Sequence, residues 1–167
     1  FMKISSSSKS CINLMEIRKK NKETNAILDG AVMEYSELAA KIQDLHIFFS
    51  LLIPDMSHEE KQLLDEALVL TYQQKGITHE NESLIDPENP EKYKEMPVLV
   101  DVYNELIRRQ ETKRLANILN RLVHGSASSF NQQTNVDLKN KYIVLDISEL
   151  TGDLLPVGMF VAVDYVW

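Results

Sequence analysis

The residues that come closest to chemistry are Ile143-Val144-Leu145-Asp146, an apolar β-forming run that ends on a carboxylate. This is the loose form of a Walker B strand, in which the acid holds Mg²⁺ during phosphoryl transfer. Asp146 is therefore the one candidate metal ligand. A phosphate cradle also needs a glycine-rich turn whose amides face the anion and a lysine behind it. None of Gly30, Gly76, Gly125, Gly152 and Gly158 opens such a run. The competing reading of Asp146 is the polar end of a core strand. His46, His58, His79 and His124 are scattered, with no H-E-x-x-H pair to support metal hydrolysis. Cys11 lacks a neighbouring histidine or a second cysteine, and Ser126 and Ser128 have glycine on one side only, so nucleophilic catalysis is not indicated. No catalytic or cofactor-binding residue is assigned.

A second feature is electrostatic. Arg108, Arg109, Lys113, Arg114 and Arg121 face Glu111 alone along one stretch, a contact patch that nucleic acid could meet or an ordinary solvated helix face. The whole chain argues against a duplex-binding module, since 18 Lys and Arg stand against 25 Asp and Glu for a net charge of −7. A lone cysteine excludes an internal disulfide framework and multi-thiolate zinc. The 167 residues, 44% apolar and 26% charged, suffice for one folded domain and exclude disorder. The longest uncharged apolar stretches, from Leu45 to Pro54 and from Leu154 to Val163, are about half a bilayer span.

The elements that must position these residues follow from period and punctuation. Residues 1–35 read as short strands, Phe1 to Ile4 and Cys11 to Ile17, followed by a basic loop with Arg18, Lys19, Lys20 and Lys22. Residues 36–125 read as a helical subdomain. Leu38, Ile42, Leu45 and Phe49 repeat at helical spacing from Ser36 until Pro54 intervenes. Ser57-His58-Glu59-Glu60 is a capping box that starts a second helix, which Gly76 stops. Pro87, Pro90 and Pro97 mark a loop, Pro97 is expected in the first turn of a third helix over 97–109, and Gly125 caps a fourth. Residues 126–167 read as a core strand, Tyr142 to Asp146, covered on both faces, and a helix from Leu154 to Trp167 apolar enough to be buried all round. The apolar end at Trp167 suggests a piece of something larger, whose sheet edge would be covered by self-association or by that last helix.

Residues 114–167 also carry a recognisable pattern: Arg114-Leu115-Ala116, Gly125-Ser126, Phe130-Asn131, Thr134-Asn135-Val136-Asp137-Leu138, then Ile143 to Leu150 and an apolar helix. This resembles the VirB-type ATPases of type IV secretion and conjugative transfer, in the HerA/FtsK P-loop superfamily. Leu68 to Tyr72 with Gly76-Ile77-Thr78, and Met96-Pro97-Val98-Leu99, resemble that family's helical block, and Asn13-Leu14-Met15-Glu16 a variant of its N-P-L-D segment. The resemblance implies a mainly α fragment with a small sheet, a helical subdomain joined to part of a RecA-like α/β P-loop core. It also puts the phosphate loop before the matched region and the true Walker B acid after it, which weakens Asp146 as a metal ligand. The implied parent is an ATP-driven motor that uses ATP and Mg²⁺, is homo-oligomeric, and works with other subunits of a secretion or DNA-transfer machine at the cytoplasmic face of a bacterial membrane. The fragment by itself would then be inactive and cofactor-free. The alternative is a non-enzymatic helical interaction module.

Overall fold

Helix formation here is written in caps as much as in apolar stripes. The computed structural model describes residues 1–19, 35–137, 139 and 144–166, with the side chains of 165 and 166 excluded. Helix α1, Glu37–Leu52, begins where the Ser36 hydroxyl accepts the Ala39 amide at 3.1 Å, and Pro54 follows its end. Helix α2, His58–Gln73, carries the reciprocal box between Ser57 and Glu60, both bonds at 3.1 Å. Its exit turn needs Gly76, whose φ of +75° lets the Ile77 amide return to the Tyr72 carbonyl at 3.0 Å.

Helix α3, Leu99–Leu106, is shorter than the 97–109 expected. Pro97 lies ahead of it rather than in its first turn, and the Asp101 carboxylate accepts the Val98 amide at 2.8 Å to close the entrance. At the other end the buried Thr112 hydroxyl donates to the Leu106 carbonyl at 2.6 Å, which turns the chain into helix α4, Lys113–Val123. Gly125 follows α4 as expected but without a left-handed φ. A Cβ there would come within 2.8 Å of the Arg121 Cα, so close approach, not turn geometry, demands the glycine.

The helices pack in sequence, α1 on α2, α2 on α3 and α3 on α4, while helix α5, Leu155–Val166, lies on α1. Strand β1, Met2–Lys3, pairs in parallel with β2, Leu145–Asp146, with Met2 opposite Leu145. The fold is thus mainly α with a two-stranded parallel sheet, around one apolar core that runs from Met2 to Val161.

Three expectations are corrected. Cys11 to Ile17 is not a strand: it runs through the interior as irregular chain, with Cys11, Ile12, Leu14, Met15 and Ile17 buried. Alternating apolar residues suit any buried extended segment, and its amides bond to side chains instead of to a neighbouring strand. The core strand is confined to Leu145–Asp146 among the described residues, and Val144 is exposed rather than covered. Tyr142, Ile143, Lys20, Lys22 and Trp167 lie outside the described residues. Helix α5 is covered on one side only, with Val157 and Val161 buried but Met159 and Val163 more than half exposed.

Leu68, Leu106 and Leu119 are fully buried in α2, α3 and α4. Truncation of each to Ala removes packed methyl groups that the neighbouring helices cannot fully replace, and should cost about 2 to 5 kcal/mol in urea unfolding. Losses below about 1 kcal/mol at all three would contradict the packing.

Candidate functional site

The end of the parallel sheet carries Asp146, the one acid that sequence alone nominates as a metal ligand. Asp146 closes β2, and its Oδ1 accepts the Ser148 amide at 2.9 Å. Those bonds from Ser148, together with the nearby Lys3 charge, hold the exposed carboxyl below the usual carboxylate range. Lys3 turns to Glu149, at 2.5 Å, and that carboxylate raises the ammonium above its ordinary value. The arrangement is a solvated turn that closes on itself. Among the described residues no group of three or more His, Cys, Asp or Glu side chains stands together as a metal cage.

Four of the five basic residues pair with acids of the chain itself. Arg108 pairs with the buried Glu105 at 3.0 Å and Arg109 reaches Glu66 of α2 at 2.8 Å. Arg114 spans Asp55 at 3.3 Å and Glu60 at 3.0 Å, tying the start of α4 to the start of α2. Arg121 meets Asp153 at 2.6 Å, ahead of α5. Lys113 is exposed at the first position of α4. Exposed ion pairs of this kind contribute little individually, but they direct these guanidinium groups toward the chain's own acids.

The functional-looking cluster that sequence reasoning missed is neutral and largely internal. Asn13, buried, donates through Nδ2 to the Pro97 carbonyl at 2.9 Å and to Gln133 Oε1 at 3.1 Å, while its Oδ1 accepts the Met15 amide at 3.0 Å. Thr134 accepts the Asn13 amide at 3.0 Å and donates to Glu16. Asn135 accepts the Cys11 amide at 2.8 Å and returns its own amide to the Cys11 carbonyl at 3.1 Å. Asn131 accepts the Val100 amide at 2.8 Å, so residues 131–135 brace both the 11–16 segment and the start of α3. The signal was the run Asn131-Gln132-Gln133-Thr134-Asn135, whose side chains all can bond to backbone. Burial pushes the Cys11 thiol up to about 11, against a smaller opposing effect of a backbone hydrogen bond with Gln132, so it stays protonated in the core.

A second internal cluster joins Lys41 of α1, Arg18 and Asp164 of α5. Lys41 Nζ lies 3.3 Å from Asp164 Oδ2, and Arg18 Nη2 donates to the Asp164 carbonyl at 2.9 Å. Beneath it the Tyr72 hydroxyl donates to the Met15 carbonyl. Burial, and then the Asp164 charge, raise the Tyr72 phenol well above its ordinary value, so it stays a donor.

A stack of helices over a parallel strand pair, with polar residues at the strand ends, defines a helical block joined to part of an α/β core. No protein-family model matches the chain, and no curated protein matches it. Among solved structures, VirB4 of Thermoanaerobacter pseudethanolicus shares the fold with a TM-score of 0.78 at 24% sequence identity, over 99% of this chain and 60% of that one. The chain therefore spans 60% of the length of that structure's chain, and the likeness fixes the fold.

Two substitutions separate the internal brace from the surface pairs. Asn13→Ala leaves buried backbone groups at Pro97 and Met15 without partners, at about 1 to 3 kcal/mol each, and should lower stability by about 2 to 5 kcal/mol in urea. Arg114→Ala should lower the melting temperature only slightly at neutral pH. Arg114, and then the Ser57 amide, hold the Glu60 carboxyl below its usual range. A depressed carboxyl stabilises above its unfolded value of about 4.3 and loses that contribution as pH falls through the folded value. The melting difference between parent and Arg114→Ala should accordingly shrink to nothing on acidification, and a difference that grows at low pH would refute the pairing.

Proposed function

We propose that the chain is the helical block and adjoining sheet edge of a VirB4-type ATPase, part of the motor of a type IV secretion or conjugative DNA-transfer system. The observation that carries this reading is the shared fold with VirB4 over 99% of the chain, added to the sequence pattern at residues 114–150. In this reading ATP and Mg²⁺ supply the energy of the whole motor, which assembles with copies of itself and other machine subunits at the inner face of the membrane. No helix among the described residues is long and apolar enough to cross a membrane. Residues 1–35, 36–125 and 126–167 would act as basic entry segment, helical subdomain and core edge.

The residues described here do not fit the nucleotide. Gly76 and Gly125 follow helices rather than precede them, and Gly158 lies inside α5 against Leu150. Gly152 is open with φ of +59°, but Asp153 follows it and pairs with Arg121, which sets a carboxylate where a phosphate would need a cation. The role of these residues in the motor is accordingly to carry and orient, with Asp146 as a turn former, Arg109 and Arg114 linking to α2 and Arg121 linking to Asp153.

Titration calorimetry of these 167 residues with Mg·ATP should show no micromolar binding. Micromolar binding that vanishes in Asp146→Ala would overturn the assignment and restore Asp146 as the metal ligand. The coding sequence on either side tests the wider reading: a G-x-x-x-x-G-K-[ST] loop upstream and an apolar strand ending in acids downstream are expected, and their absence from the same open frame would refute it.

A further inference from the structure

Helix α5 carries one charged residue, Asp164, in its last turn. That is an unfavourable place for an acid, because the exposed carbonyls at a helix C-terminus already present partial negative charge. Two cations from distant parts of the chain reverse the sign. Arg18 donates to the Asp164 carbonyl at 2.9 Å and lies 3.7 Å from its carboxylate, so it neutralises the helix end and the side chain together. Lys41 of α1 reaches the same carboxylate at 3.3 Å and the Leu14 carbonyl at 3.5 Å. The Lys41 and Asp164 side chains are only 10% and 12% exposed, so water cannot replace either partner cheaply. Among the described residues, α5 is also held by apolar contact, through the buried Val161 and the tilted contact between Phe160 and Phe48.

We propose that Asp164, held by Lys41 and Arg18, is a latch: it fixes the C-terminal half of α5 on α1, and breaking it lets that half of α5 leave while α2, α3 and α4 stay folded. Apolar contact is non-directional and tolerates sliding, whereas one carboxylate shared between two fixed cations sets a single register. The separation in packing supports independence, since α5 lies on α1 while α2 packs on α3 and α3 on α4. Release would expose Phe48 and Val161, both buried while the latch holds. The latch is a conformational device in its own right and does not rest on the motor assignment.

Hydrogen exchange on the intact 167-residue chain tests it. Asp164→Asn, which keeps the shape and removes the charge, should speed exchange of amides 160–166 at least about tenfold and leave amides inside α2 and α4 unchanged. Lys41→Met should give the same local pattern. The double variant Lys41→Met with Asp164→Leu, which leaves no carboxylate to fix the register, should keep exchange of α5 fast, and a return to within about threefold of the parent would show that an unpaired buried charge moved the single variants and would overturn the latch. Unchanged α5 exchange in both single variants, an equal rise across α2 and α4, or loss of the fold in Asp164→Asn would overturn the latch. Arg18→Met reads the other cation on the same amides, and no change there would limit the clamp to Lys41 and overturn the two-cation form.

Discussion

A buried stretch of chain with no sheet to join must still satisfy its backbone, and residues 11–17 are that stretch. Their carbonyls and amides are met one by one: Asn135 at Cys11, Thr134 at Asn13, Lys41 at Leu14 and Tyr72 at Met15. The partners come from α1, α2 and the 131–135 run, and Asn13 adds the entrance of α3 through the Pro97 carbonyl. One seven-residue segment therefore holds the register of three helices. The low dielectric that makes each of these bonds strong also makes a missing one costly, so the segment tolerates little substitution.

The same economy governs the charges. A net charge of −7 leaves acids in excess, and four of the five basic residues around α3 and α4 are absorbed by them. Arg114 and Arg109 both reach acids of α2. Arg114 links α4 to the start of α2 in this way, and Arg121 links it to Asp153 ahead of α5.

Much of the fold was legible because its signals are local. Ser57 and Glu60 mark the start of α2 within four residues, Gly76 marks its end, and the stripes of α1 and α4 repeat at one helical period. The failures have a common cause, in that they depend on distant partners. Cys11 to Ile17 alternates as a strand would, yet Asn135 and Thr134, more than a hundred residues away, take the bonds a strand would have made. The end of α3 is set by Thr112 taking the Leu106 carbonyl, which no stripe of apolar residues reports. Of the candidate site, Asp146 was placed correctly at a strand end, but its Ser148 partner and the polar brace around Asn13 required the three-dimensional arrangement.

Helix α5 shows how composition and position separate. Nearly every residue in it is apolar, which suggested burial all round, yet only the side toward α1 and the start of the chain is covered. The pairs Lys41 with Asp164 and Phe48 with Phe160 run α5 antiparallel to α1. That geometry puts Leu155, Met159 and Val163, four residues apart, on the outer side, together with Ile47 and Leu51 of α1. Single exposed apolar residues need no explanation, whereas Leu155, Met159 and Val163 recur every four residues along α5. The two-stranded parallel sheet is the second feature, because parallel strands are stable when both faces are packed. Under the proposed motor reading, both features belong to one requirement: an α/β core closes by adding strands beside β1 and β2 and helices over α5, and the apolar side of α5 is the face such a core would use.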